Sequence, residues 1–180
     1  KILVIQTAFL GDIVLSTSFL HALRELFPSA QITLLTTAAG AKILQPNPWN
    51  VQLEIFDKRG KEKGPNGLWQ KAAYFRRQKI DYLFCLHRSA RSTFLSKLIA
   101  PGQSFGFHEA AFAFLLDNKI SRKNIAYEAE KNLELLTLLP EAQGRKFSAF
   151  PKLLFTQQNK EDALKLLSPL AGAPFVALST

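Results

Sequence analysis

The sequence predicts an α/β fold: a mostly parallel, twisted sheet with helices on both faces. Three observations predict it. Short apolar runs, Ile2 to Ile5 foremost, are continuous rather than alternating, as in strands covered on both sides. Stretches of helical periodicity separate these runs. Prolines, glycines and a charged loop punctuate the joins.

The elements follow in order. Ile2 to Ile5 form the first strand, and a short loop ends in Gly11-Asp12. Asp12 is then expected at an N-cap, with Ile13, Leu20, Leu23 and Phe27 at helical spacing and Pro28 as the stop. Gln31 to Thr36 read as a second strand and Ala38 to Leu44 as a short helix closed by Pro46 and Pro48. Val51 to Phe56 alternate and predict a third strand. The charged, glycine-rich stretch 57–67 predicts a mobile loop, followed by a helix from Leu68 to Lys79. Ile80 to Leu86 are the fourth strand, and Ser89 opens a helix through Leu98 that Pro101-Gly102 breaks. Ser104 to Phe107 predict a short strand and Ala126 to Leu139 a helix. Residues 140–151, with three spaced breakers, read as a linker. Beyond it lie Leu153 to Phe155, a helix from Lys160 to Leu167 and a final strand at Phe175 to Thr180. With no methionine in the chain and an apparent strand at its end, Lys1 is not the expected native start and the chain is expected to continue past Thr180.

Charge is unevenly placed. Residues 1–57 carry a net −1, residues 58–123 a net +10 and residues 124–180 none, so the whole +9 excess sits in the middle third. A concentrated basic region suits an anionic partner such as a phosphorylated lipid, a sugar acid or nucleic acid, or else only a solvated surface. The lone Cys85 lies in an apolar run and fits a core position in a reducing, cytoplasmic compartment. No apolar run reaches the ~18 residues of a membrane span, and Asp12 interrupts any signal-peptide reading of the N-terminus.

Chemistry is expected where strands exit the sheet. In open α/β folds ligands bind outside the carboxyl ends of the strands. Asp12 stands at the first exit, either as a helix cap or as a general base. Gly11 beside it would let a ligand approach the backbone. His87 to Ser92 follow the fourth strand and face the same edge. There Arg88 and Arg91 offer fork-shaped donors for carboxylate or phosphate, beside a helix start capped by Ser89. His87 is a candidate proton carrier or a structural hydrogen-bonding group. The first loop has one glycine, so it is not a G-x-G-x-x-G fingerprint, and no Walker A sequence occurs. His21, His87 and His108 lack metal-ligand spacing, so no metal site is expected.

The segments Ile2 to Ile5, Leu10 to Leu15, Phe27-Pro28 and Ile32 to Leu35 resemble the opening of the family 9 glycosyltransferases, the lipopolysaccharide heptosyltransferases. Asp81 to Ser92, Gly106-Phe107, Leu115 to Ile120 and Tyr127 to Leu133 are similar to later parts of that family. The resemblance spans roughly residues 1–139. It implies a GT-B architecture of two Rossmann-like domains: residues 1–139 as the acceptor domain, 140–151 as linker and 152–180 as the start of an incomplete nucleotide-sugar domain. It also implies an inverting glycosyltransferase with Asp12 as base. Acceptor binding would fall to Gly11, Arg88, Ser89, Arg91 and Ser92, helped by lysines of the 58–63 stretch, and the donor site would lie beyond Thr180. Gln6 stands where family members often carry a basic residue on the first strand's exit. The implied donor is ADP-heptose or a related sugar nucleotide, with no cofactor. The implied acceptor is an acidic glycolipid of the lipopolysaccharide core, met by a cytoplasmic protein in peripheral contact with the inner membrane. Two alternatives stay open: a GT-B enzyme with a different sugar substrate, and a non-catalytic anion- or nucleic-acid-binding module. Against nucleic acid, the aromatics are not interleaved with the basic residues as a stacking platform.

Overall fold

The computed structural model describes residues 1–58, 60–123 and 125–170. The strand expected at Phe175 to Thr180 lies outside them, as does Arg59 of the charged stretch.

Six strands, β1 (Ile2–Ile5), β2 (Ile32–Thr36), β3 (Gln52–Ile55), β4 (Tyr82–Cys85), β5 (Gln103–Phe107) and β6 (Asn118–Ile120), form one sheet. Every pairing is parallel and the order is β3-β2-β1-β4-β5-β6. This is the doubly wound Rossmann order, in which the chain reverses direction across the sheet between β1 and β4. The helices are α1 (Leu10–Leu15), α2 (Thr17–Leu26), α3 (Ala38–Ile43), α4 (Gly64–Arg77), α5 (Ala90–Ile99), α6 (Glu128–Glu134) and α7 (Gln157–Leu167).

The unbroken apolar run of β1 serves both faces. Ile2 and Val4 join Ile13, Phe19, Leu20, Leu23 and Leu133 in one core. Leu3 and Ile5 join Ala72, Phe75, Leu83, Leu95 and Ile99 in the other. Successive strand side chains point to opposite faces, so α4 and α5 cover one side while α2 and α6 cover the other. Phe84 of β4 stacks on Phe105 of β5 at 4.8 Å and meets Phe19 of α2 edge-on at 5.2 Å. Such pairs add roughly 0.5–1.5 kcal/mol each beyond their buried area. Gly40 lets α3 close on this core, since a Cβ there would sit 2.5 Å from Thr36 Oγ1 and 2.6 Å from Ile13 Cδ1.

Several expected elements are corrected. The first helix is two helices, α1 and α2, divided at Ser16. Ser16, Thr17 and Ser18 donate their hydroxyls to the carbonyls of Ile13, Val14 and Leu15, three residues back. Consecutive back-bonded hydroxyls disturb the helical ladder, which periodicity alone does not reveal. Helix α4 begins at Gly64, four residues before Leu68, because Pro65 occupies its first turn.

The stretch before α4 is a hydrogen-bonded turn rather than a free loop. Asp57 Oδ1 accepts from the Gly60 N–H at 2.9 Å and Oδ2 from the Lys61 N–H at 3.0 Å, while Glu62 Oε2 accepts from the Asp57 N–H at 2.7 Å. Helix α6 ends at Glu134 and tightens into a 3-10 turn over Leu135–Leu138. Residues 147–153 pack Phe147, Ala149 and Leu153 against the first core, and the Lys152 N–H donates to Thr17 Oγ1 at 2.9 Å. Helix α7 starts three residues earlier than expected, on a capping box between Thr156 and Asn159, and none of its residues is buried.

Candidate functional site

The strand order places the crevice between the carboxyl ends of β1 and β4. An open cleft of about 720 Å³ occupies that position. Asp12, Arg88 and Ser89 line it, together with Gln6, Phe9, Leu15, Leu86, His87 and His108. Residues 76 positions apart in sequence thus share one wall because β1 and β4 pair in register, Ile5 beside Cys85.

Asp12 sits in the first turn of α1, not at its cap. The capping position is Phe9, which has no side chain to cap with. The carboxylate makes no hydrogen bond or ion pair with another described residue. The expected capping role therefore falls away, and the half-buried carboxylate is uncommitted.

Among the other expected residues, Ser89 caps α5 as foreseen, its Oγ accepting from the Ser92 N–H at 3.3 Å. Arg88 is exposed at the cleft, and its guanidinium has no partner among the described residues. Ser92 is buried behind the wall, with its Oγ 3.1 Å from His87 Nδ1 and 3.0 Å from Ser89 Oγ. Ser92 thus departs from the expected acceptor contact, and two further residues do as well. Gly11 does not line the cleft, and a Cβ on it would meet only open space. Arg91 turns away. Its guanidinium donates to the Glu62 and Gly64 carbonyls and lies over the Phe56 ring at 4.9 Å, which ties the turn before α4 to α5.

His87 anchors the wall. Its Nδ1 has Thr7 Oγ1 at 2.9 Å, Ser92 Oγ at 3.1 Å and Ser89 Oγ at 3.3 Å. Lys58 Nζ donates to the Thr7 carbonyl at 2.7 Å and to Thr7 Oγ1 at 3.1 Å. Because Lys58 can only donate, Thr7 Oγ1 accepts there and keeps its own proton available for another partner. Burial, and then the Lys58 and Arg88 charges, push the imidazole down from 6.5 to about 4, so it is neutral at physiological pH. Thr7, Lys58 and His87 also line a second cleft of about 560 Å³, which shares Ala8 and Phe9 with the first.

The sequence reading missed the opposite wall. Glu109, Arg122, Glu128 and Asn132 line the cleft from the segments after β5 and β6 and from α6. Arg122 pairs with Glu128 and lies over the Phe107 ring at 4.8 Å, and Lys131 pairs with Glu128 at 2.9 Å. Glu109 accepts from Ser121 Oγ at 2.9 Å and from the Arg122 N–H at 3.0 Å. Partial burial raises both acids, but these partners outweigh it and hold both below the usual carboxylate range. The i, i+4 spacing of Glu128 and Asn132 on a predicted helix was the available signal.

No group of three or more His, Cys, Asp or Glu side chains converges as a metal site among the described residues. No described helix is long and apolar enough to cross a membrane. Cys85 is buried, its thiol pushed up to about 12 by burial.

Comparison with protein-family models and with curated protein sequences finds no match. Solved structures do match. A glycosyltransferase family 9 structure from Veillonella parvula superposes with a TM-score of 0.80 over 96% of this chain and 50% of its own, at 22% identity. The ADP-heptose lipopolysaccharide heptosyltransferase II of E. coli gives 0.72 over 93% and 50%, at 20% identity. The E. coli heptosyltransferase WaaC bound to ADP-2-deoxy-2-fluoro heptose gives 0.60 over 84% and 50%, at 16% identity. The present chain spans about half the length of each. At these identities the likeness is one of fold, and the expected fold class is the observed one: the chain has the Rossmann-like α/β fold found in half of a GT-B heptosyltransferase chain.

Proposed function

We propose that this chain is the acceptor-binding half of an inverting glycosyltransferase of family 9. The observation that carries the reading is Asp12: an uncommitted carboxylate at the β1 exit, in the same cleft as the unpaired Arg88, in a fold shared with heptosyltransferases. Asp12 takes the proton from an acceptor hydroxyl as that oxygen attacks the anomeric carbon of the donor sugar. The bond from that carbon to the diphosphate breaks with its electrons on the leaving phosphate, and configuration inverts. A positioned carboxylate base of this kind contributes roughly 10²–10⁴-fold.

Arg88 holds an anionic group of the acceptor, with the Ser89 end of α5 beside it. His87, held neutral, keeps the loop that carries Arg88 in place and adds no charge at the wall. The donor would be a nucleoside-diphosphate heptose, and its binding residues would belong to a further domain. The acceptor would be an acidic glycolipid of the lipopolysaccharide core, met at the cytoplasmic face of a membrane. The net +10 of residues 58–123 suits such a surface, where each basic residue near anionic lipid gains about 1 kcal/mol.

The test is a donor screen on the full-length protein, following nucleoside-diphosphate release with a heptose-deficient lipopolysaccharide core as acceptor. Release with one sugar nucleotide, dependent on that acceptor, is the expected result. Salt-sensitive nucleic-acid binding with no release from any donor would favour a binding module instead.

A further inference from the structure

We infer that Gln6 and Asn132 form a hydroxyl-reading floor in this cleft, which seats an uncharged sugar ring beside Asp12 and turns its anionic substituent outward to Arg88. The inference rests on the glycosyltransferase reading for the identity of the sugar as acceptor, and on geometry for the floor itself.

Gln6 follows β1 directly. Its backbone N–H continues the ladder to the Leu35 carbonyl at 3.0 Å, which fixes the residue at the sheet's edge. The side chain is 3% exposed, and its buried Oε1 has no hydrogen-bond partner. Asn132 on α6 is 4% exposed, and its side-chain amide makes no hydrogen bond with another described residue. Both residues line the same cleft, one from the sheet and one from the helix opposite. A buried amide without a partner is costly, and native proteins rarely keep one without a ligand or water to meet it. Gln6 Oε1 is such an atom, and the Asn132 amide reaches the same cleft from an unrelated element without a hydrogen-bond partner among the described residues, so together they mark a surface built for something that arrives.

The chemistry selects the ligand class. An amide is uncharged and offers both an acceptor and donors, which matches hydroxyls, each of which also donates and accepts. An anion would be better served by a cation, and Arg88 on the exposed rim offers one without a partner among the described residues. The carboxylates of Glu109 and Glu128 are already occupied by Ser121, Arg122 and Lys131, so they do not compete for the hydroxyls. A ring bearing several hydroxyls therefore goes in, and its charged group stays out.

The experiment uses the full-length protein and two probes, methyl α-mannopyranoside and mannose 6-phosphate, with affinities from saturation-transfer NMR and thermal melts without ligand. Gln6→Met and Asn132→Leu remove the amides at nearly constant volume. Each is expected to weaken the neutral glycoside about three- to tenfold, the usual worth of one hydrogen bond to an uncharged group. The unliganded melting temperature should hold or rise, since an unmet buried amide is lost. Gln6→Asn, which keeps the amide but withdraws it by one methylene, should also weaken the glycoside and serves if Gln6→Met does not fold. Arg88→Ala should weaken only the phosphorylated sugar.

The inference is overturned if wild-type protein does not bind the neutral glycoside, if the amide variants bind it like wild type, or if they lose stability while binding is kept. Binding needs no donor, so the two readings fail separately. Affinity changes as stated with no transfer from any donor would remove the enzyme reading and leave the floor. Transfer with wild-type acceptor KM in both amide variants would remove the floor and leave the enzyme.

Discussion

Acidification should destabilise this protein through His87 before its carboxylates titrate. In the unfolded chain the imidazole takes a proton near 6.5, whereas in the fold burial and the Lys58 and Arg88 charges hold it neutral down to about 4. Between these values the unfolded state binds more protons, so stability falls as pH falls through this window and is unaffected by this group above or below it. At about 1.36 kcal/mol per pKa unit the full displacement corresponds to at most about 3 kcal/mol. The ring borders two clefts, so solvent screens part of this, and about 1–2 kcal/mol is the expected loss.

A charged ring carries a proton on Nδ1, so the Thr7, Ser89 and Ser92 hydroxyls facing it could then only accept. The assay is urea unfolding at half-unit steps from pH 7.5 to 3.5, on wild type and on His87→Asn, which keeps a polar group near Nδ1 but does not titrate. The difference between the two curves isolates this group from the carboxylates. It should narrow steadily from pH 6.5 to about 4 and then level. A flat difference, or one that widens as pH falls, would refute the argument.

Other expectations follow from particular contacts. Arg91→Ala should cost about 1.5–3 kcal/mol, the worth of charged donors on backbone carbonyls, and should speed proteolysis within residues 57–63, read by unfolding and limited digestion. Native Cys85 should not react with a thiol reagent at pH 7.5 until the protein unfolds, since burial holds the thiol up at about 12; prompt reaction would contradict that burial. Asp117 accepts from the Ser104 N–H at 2.8 Å and from Ser104 Oγ at 2.6 Å, and these bonds, with nearby Lys97 and Lys119, hold it below the usual range. Its stabilisation is present above the unfolded aspartate value and is lost as pH falls through the lower folded value. Asp117→Asn should therefore cost about 1 kcal/mol at pH 7 and flatten the acid limb of the stability curve.

The part of the site that follows β1 and β4 was legible because both strands are unbroken apolar runs and their exits carry the polar residues. Asp12, Arg88 and Ser89 could be placed on one edge from that alone. Arg91 could not be told from Arg88, because the segment that captures it, Glu62 to Gly64, lies 27 to 29 residues away in sequence. The opposite wall was out of reach for a similar reason. Strand β6 has three residues, too few for a pattern, and only its pairing with β5 brings Arg122 across to Glu128 and the cleft. Among the helices, local chemistry overruled periodicity twice: three adjacent hydroxyls divided α1 from α2, and Pro65 started α4 early. Both signals were present in the sequence but are weaker than the apolar stripe that overlays them.

The most direct test of the central claim is the acceptor-dependent transfer rate of the full-length Asp12→Asn variant beside its unfolding curve. The carboxylate is half-buried without a hydrogen-bonding or ionic partner among the described residues, so stability should change by no more than about 0.5 kcal/mol. Turnover should fall by about a hundredfold or more as the base is lost. Turnover close to wild type in a folded variant would contradict the account.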